Sequence, residues 1–408
     1  MTTTAVRLYG KDDLRLETFA LPPIRDDEIL AKVVSDSICM STYKAAKQGA
    51  AHKRVPDDVA DNPVIVGHEF CGELVEIGSK WAATGCCESR SAPDRRHFFH
   101  PGDKFAIQPA VNDPADIYAA PGYSFPYIGG AATYIIIPSV FMERGCLLPY
   151  NGNAFYHGSL AEPMSCIVGG FHCMYHAKAG NYVHEMGIKS GGKMALLAGA
   201  GPMGLGAIDY ALHCTRRPSL LVVTDIDEDR LVRAKNLFPP EHAKECGVEL
   251  IYCSAPDTAA LTELSGGTGY DDVFVYAPVA PLVEQGSAIL GHDGCLNFFA
   301  GPTDPSFSAK LNFYNMHYSN HHTACNSGGN TDDMRESLDM MAAGTIDPSA
   351  MVTHVGGLDA VIDATLNLPG LPGGKKLIYT HISMPLTEIE GLWTPEREKV
   401  LLETGKLL

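Results

Sequence analysis

The sequence predicts an α/β protein in which a doubly wound parallel sheet is inserted into a mainly β domain. Three observations carry that expectation. The chain has 408 residues, beyond the size at which one hydrophobic core keeps growing, so two domains are expected. A glycine-rich turn, Gly199-Ala200-Gly201-Pro202-Met203-Gly204, follows an apolar run and is followed in turn by a helix-like run. Before and after this central stretch the texture is different, with short apolar runs broken by Gly, Pro, Asp and Asn.

The β-rich runs are Ile29–Val34, Val64–Val66, Gly72–Ile77, Lys104–Ile107 and Ala132–Ile137. From about Cys166 strands and helices alternate: KMALLAGAGPMGLGAIDYALH, LLVVTDIDEDRLVRAKNLF, DDVFVYAP, then a helical run into CLNFFAGP. Such alternation implies parallel strands joined by right-handed crossovers. After about Phe307 the strand-and-loop texture returns, with helical patterns near Asp332–Ala343 and Leu358–Asn367. The expected domains are therefore 1–167 with 307–408, and 168–306.

Composition narrows the function. Charged residues make up 19% and the net charge is -17, which disfavours binding to nucleic acid or anionic lipid. No run of about 18 apolar residues suits a membrane span, and the first residues lack a secretory apolar run. A soluble, cytoplasmic protein is expected. The 12 cysteines are dispersed, which favours reduced thiols over a disulfide framework.

The glycine turn suits a dinucleotide. Gly199 makes the tight turn, Gly201 lets the backbone approach a pyrophosphate, and Gly204 lets helix and strand pack closely; Pro202 and Met203 start the helix whose N-terminus faces the anion. The next strand ends at Asp225, about 20 residues beyond Gly204, where a carboxylate can accept hydrogen bonds from both ribose hydroxyls. It would repel a 2′-phosphate, which favours NAD(H) and leaves NADP(H) as the second choice. Asp225 could instead cap the following helix. Arg230 suits either a position over the adenine or plain solvent.

Cys39 lies in SDSICMST, His68-Glu69 in VIVGHEFCGELVEIG, and Glu162 in LAEPMSC. Singly, a cysteine or histidine is more often a packed core residue than a ligand. Together, Cys, His and carboxylate make the set zinc favours in catalytic sites, where three protein ligands leave a position for substrate oxygen.

These residues give the chain its resemblance to the zinc-containing medium-chain dehydrogenases. Cys39-Met40-Ser41, Gly67-His68-Glu69, Pro101-Gly102-Asp103-Lys104, Glu162-Pro163, the glycine turn and Asp225 fall in the order that family shows. The resemblance implies a GroES-like catalytic domain, a Rossmann domain and a zinc in the cleft between them. By the polyol-dehydrogenase branch, Cys39, His68 and Glu69 hold zinc, and Glu162 binds zinc or its water. Ser41 matches a hydroxyl that passes the substrate proton outward; as a bare residue it is also an ordinary turn serine. The chain departs from the family twice. The usual Cys-Gly-Thr-Asp reads Cys39-Met40-Ser41-Thr42, without the aspartate that normally supplies partners behind the metal. The four clustered cysteines of the family's structural zinc are absent, so one catalytic zinc per chain and no structural zinc are expected.

Within that branch, AVRLYGKDDLRLE, SDSICMSTYKAAKQG and HKRVPDDVADNPVIVGHEFCGE are similar to the L-sorbose-1-phosphate reductases, which implies interconversion of L-sorbose 1-phosphate and D-glucitol 6-phosphate. The residues add one clue of their own. Lys44, Lys47, His52, Lys53 and Arg54 follow Cys39 closely and suit a phosphate, with Lys44, Lys53 and Arg54 the candidate contacts; a solvated basic loop reads equally well. Two other functions stand beside this one: a dehydrogenase of free polyols or secondary alcohols, and a non-catalytic nucleotide-binding protein of the same fold. The family resemblance also implies a homodimer or homotetramer.

Overall fold

The computed structural model describes residues 1–89, 91–178 and 180–407. It divides into two compact units: Met1–Ser165, Asn330–Gly344 and the chain from Val352 onward, and Cys166–Gly329 with Thr345–Met351.

The first unit is built on an eight-stranded sheet. Its strands run in the order Leu147–Pro149, Lys104–Ile107, Phe70–Ile77, Ile29–Ser37, Lys375–Tyr379, Val352–Gly357 and Thr387–Glu388, and Tyr134–Ile137 also pairs with Ile29–Ser37. Ile29–Ser37 is the hub, buried along nearly its whole length. Being covered on both faces, its first six residues, 29–34, read as an apolar run broken only by Lys32. On one side Ile29, Ala31 and Val33 pack with Phe70, Phe105, Ile107 and Phe141; each of these side chains except that of Ala31 contributes about 1.5–3 kcal/mol on burial. A smaller sheet, ordered Asp13–Ala20, Thr2–Gly10 and Val64–Ile65, includes an N-terminal hairpin that the polar opening sequence conceals. Its outer strand alternates between buried and exposed positions only weakly.

Helix Phe155–His172 is fixed at its start by a residue far along the chain. The buried carboxylate of Glu398 accepts the N–H groups of Phe155 and Tyr156 at 2.6 and 2.8 Å and the Tyr379 hydroxyl at 2.7 Å. A carboxylate there satisfies two otherwise orphaned amides and complements the helix dipole.

The second unit is built on a six-stranded sheet, every pair in it parallel, in the order Glu249–Ser254, Leu220–Asp225, Lys193–Leu197, Tyr270–Val275, Leu290–Phe298 and His322–Ala324. Counted along the chain this is third, second, first, fourth, fifth, sixth, the doubly wound arrangement, with its switch point beside Lys193–Leu197. Helices such as Pro202–His213 and Glu228–Leu237 make the crossovers. Asp227 caps the latter by accepting the Arg230 N–H at 3.1 Å.

The expected return to the β-rich domain at Phe307 differs from the observed division at Gly329 and Asn330. His322–Ala324 is a three-residue strand that completes the parallel sheet by pairing with Cys295–Asn297. So short an element carries no periodicity to read. Residues Thr345–Met351 also join the second unit, the Asp347 N–H donating to buried Asp209 at 2.7 Å. The segment around Gly180–Ser190, unassigned from sequence, includes part of a hairpin of Tyr175–Ala177 with His184–Met186. Among the described residues no disulfide forms, and no helix is long and apolar enough to cross a membrane.

Candidate functional site

In the first unit, the strand Ile29–Ser37 delivers Cys39 to the N-cap of helix Met40–Gln48. His68 and Glu69 sit just before strand Phe70–Ile77. Because that strand pairs with Ile29–Ser37, Asp36 lying opposite Phe70, the three residues meet: one ligand atom from each lies within 4.8 Å of the others. Glu162 is buried on helix Phe155–His172. It stands outside this tight trio, but its charge bears on Cys39 and on Lys375.

The electrostatics fit a cation that binds soft and hard donors together. Burial, with a lesser push from Glu69, raises the Cys39 thiol to about 12. Burial lowers the His68 imidazole to about 4 despite Glu69, which keeps the ring neutral, the form a metal needs. Burial alone would raise Glu69, but Lys375 and His68 outweigh it and hold the carboxyl below its usual range. Neutral imidazole, ionised carboxylate and a thiol that needs a nearby cation to ionise are together the donor set of a catalytic zinc.

Residues to which the sequence assigned no role complete the pocket. Tyr123 places its hydroxyl 3.0 Å from His68 Nδ1, and Thr42 its hydroxyl at 3.4 Å. They occupy the role left open by the missing aspartate and leave Nε2 as the ring nitrogen for a metal. Lys375, buried in strand Lys375–Tyr379, donates to both Glu69 oxygens at 2.5 and 2.7 Å. Burial opposes the Lys375 charge, yet Glu69 and Cys39 overcome it and its ammonium is held above its usual range. Glu69 is thus shared between the trio and a lysine. A buried lysine within an apolar strand demands an anion, and GGKKLIY is the one trace of it in the sequence.

Ser41 is exposed, one residue into the helix that Cys39 caps. The basic segment gathers beside the same pocket. Lys44 is half-buried, and burial draws its ammonium down. The charges of Arg54, Lys53 and Lys44 all bear on His52, whose ring stacks on Tyr123 with centroids 5.7 Å apart. Arg54 lies 5.5 Å over Tyr123 and Lys53 lies 5.1 Å over Tyr118. Arg54 also depresses His68, and Lys44 feels Cys39, so these two cations reach the trio electrostatically.

In the second unit, the glycine turn has the geometry its spacing suggests. Gly201 is the N-cap of helix Pro202–His213, Pro202 is the first helical residue, and Met203 follows within the first turn. A Cβ on Gly204 would lie 2.0 Å from the Gly199 carbonyl oxygen, and one on Gly199 would lie 2.7 Å from Leu196 Cβ. On Gly201 it would meet nothing within 4 Å, so the open side of the turn faces free space beside the helix N-terminus. Asp225, buried at the end of its strand, accepts the Ala200 and Asp227 N–H groups at 3.2 and 3.1 Å. It therefore ties the turn to the neighbouring strand, while Asp227, not Asp225, caps the following helix. Arg230 pairs with Asp227 at 3.3 Å and is half exposed.

Residues 25–144 match the alcohol dehydrogenase GroES-like domain. The chain is 52% identical to mannitol-1-phosphate 5-dehydrogenase of Aliivibrio fischeri, over 95% of this chain and 89% of that protein. It is 47% identical to L-sorbose 1-phosphate reductase of Klebsiella pneumoniae, over 98% and 97%. The crystal structure of 2R,3R-butanediol dehydrogenase from Bacillus subtilis superposes with a TM-score of 0.69 at 19% identity, over 92% of this chain and 99% of that one, a likeness of fold.

Proposed function

The chain belongs to the zinc-containing medium-chain dehydrogenases, and on that premise we propose that it interconverts a hexitol phosphate and a ketose phosphate with NAD(H). The reaction is CHOH + NAD⁺ ⇌ C=O + NADH + H⁺. The observation that carries this reading is the convergence of Cys39, His68 and Glu69 beside the cations around His52. Both relatives named above carry a sugar phosphate in their names. L-sorbose 1-phosphate and D-glucitol 6-phosphate are the first pair to test, mannitol 1-phosphate the next.

A bound zinc supplies Lewis acidity at the reacting oxygen. Cys39 and His68 would hold it, with Glu69 or Glu162 as the carboxylate. Tyr123 and Thr42 keep the His68 ring oriented. Lys375 offsets the charge of Glu69 when that carboxylate is not a ligand. Ser41 is the hydroxyl that passes the proton towards water, and Lys44, Lys53 and Arg54 receive the phosphate dianion. The turn Gly199–Gly204 cradles the pyrophosphate, and Arg230 can turn from Asp227 towards the adenine. Asp225 supports NAD(H) over NADP(H), since a 2′-phosphate near it would meet like charge. A cytoplasmic homodimer or homotetramer with one catalytic zinc per chain belongs to the same reading.

The test is turnover of a panel of polyols, ketoses and their phosphates with NADH and NADPH, before and after zinc removal. Zinc-dependent turnover of a sugar phosphate with NADH is expected. Equal turnover of free polyols would move the reading to an unphosphorylated substrate, and no turnover at all would leave a nucleotide-binding protein.

A further inference from the structure

The second unit brings together a separate set of donors that the dehydrogenase reaction does not use. His213 ends helix Pro202–His213, and His242 and Cys246 stand four apart in and just after helix Pro240–Glu245, on one face. One ligand atom from each lies within 4.8 Å of the others. Cys246 Sγ is 3.8 Å from His213 Nε2 and 3.9 Å from His242 Nε2. We propose that His213, His242 and Cys246 form a second metal site, taking a divalent ion of the zinc class with a fourth position open to water.

The polar groups behind these donors favour a Lewis acid over a simple hydrogen-bonded cluster. Asp209, buried, accepts from His213 Nδ1 at 3.0 Å and is held in turn by the Asp347 N–H. Glu245 faces His242 Nδ1 at 3.6 Å. In the tautomer with the ring protons on the two Nδ1 atoms, both Nε2 atoms present lone pairs to the same sulfur. A thiol has one proton and can satisfy one of them; a metal ion satisfies both and the thiolate as well. Carboxylate, histidine and metal in series is the usual support for an imidazole ligand. Zinc–nitrogen and zinc–sulfur bonds at tetrahedral angles set nitrogen and sulfur about 3.5 Å apart, so each nitrogen needs to close on the sulfur by only a few tenths of an ångström. Charge also balances. A dication with Arg217, which donates to the Cys246 carbonyl at 3.1 Å, offsets Asp209, Glu245 and a Cys246 thiolate. The half-buried and exposed positions of the three donors leave an entry path and water for the fourth position.

An ion there would close a loop of chain from His213 to His242. That loop contains strand Leu220–Asp225 and helix Glu228–Leu237, which carry Asp225 and Arg230. The ion would therefore act as a clip on the segment read above as the ribose site.

The experiment is zinc and cobalt titration of the full-length protein after chelation, with elemental analysis following gel filtration. Wild type should retain about two metals per chain, and Cys246→Ser and His242→Ala about one. Cys39→Ser should also keep about one and, with cobalt, show a thiolate charge-transfer band that Cys39→Ser/Cys246→Ser lacks. Unchanged stoichiometry in Cys246→Ser and His242→Ala would overturn the site. So would a cobalt–thiolate band surviving in the double variant, or uptake only at large molar excess, which would mean an adventitious ion.

Discussion

In the first unit the candidate site is made of side chains: Cys39, His68 and Glu69 converge, and Tyr123, Thr42 and Lys375 hold them from behind. In the second the glycine turn is made of backbone: amides, a helix N-terminus and the absence of Cβ atoms at Gly199, Gly201 and Gly204. A side-chain site fails when atoms are removed. A backbone site fails when atoms are added. The first also depends on charges taken out of water and paired there, whereas the second relies on dipoles that need no partner ion.

The largest effect tests the side-chain half. Cys39→Ala and His68→Ala should each lose the zinc and nearly all activity while retaining NADH binding, measured by elemental analysis and fluorescence titration; full zinc in either variant would break the contrast. Tyr123→Phe removes one hydroxyl and should weaken zinc by about 10- to 100-fold, read by chelator competition. Gly204→Ala adds one carbon 2.0 Å from the Gly199 carbonyl oxygen. It should cost about 1–3 kcal/mol in thermal or urea unfolding and weaken NADH, with zinc content unchanged. A normal melting curve would show that the turn has room the geometry denies. Asp225→Ala lies between the two classes, a side chain in the backbone site. It should shift the NADH to NADPH preference by about 1–3 kcal/mol, seen in the ratio of kcat/KM values. The smallest effect belongs to Lys44→Met, which should raise KM for a sugar phosphate by about tenfold or less and leave a free polyol unchanged. Equal effects on both would make Lys44 a support of its helix.

The same contrast explains what could be read from the sequence. The glycine turn and Asp225 lie within one strand-helix-strand unit, so residue type and spacing expose them. Cys39 and His68-Glu69 were readable as donor types in family order, although their meeting depends on strand pairing. Tyr123 and Lys375 were not. Each is an ordinary residue until the chain brings it to His68 or Glu69, across 55 positions in one case and 306 in the other. Thr42 was visible only as a departure from the usual tetrapeptide; its contact with His68 shows what replaced the aspartate. The domain return expected at Phe307 and the division at Gly329 and Asn330 differ around the completing strand, His322–Ala324, which at three residues is too short to carry a periodicity. Cys246 and the two histidines went unread as a group, since His213 lies one strand and one helix away from the pair His242 and Cys246.

Strand Lys375–Tyr379 sits in the middle of the first unit's sheet, its Leu377 opposite Ser37, yet it comes from the last tenth of the chain. On the ribosome, residues 70–77 find both neighbours early, in 29–37 and 104–107, and 134–137 covers residues 29–32, but the Ser35–Ser37 end of strand Ile29–Ser37 must wait with one edge unpaired until nearly all the polypeptide has been made. The six parallel strands between residues 193 and 324 are all available earlier, so the later-numbered unit is the first able to fold. Glu69 waits as well, a carboxylate destined for burial whose cation has yet to be synthesised. During that interval the short open edge is a place where another chain could pair.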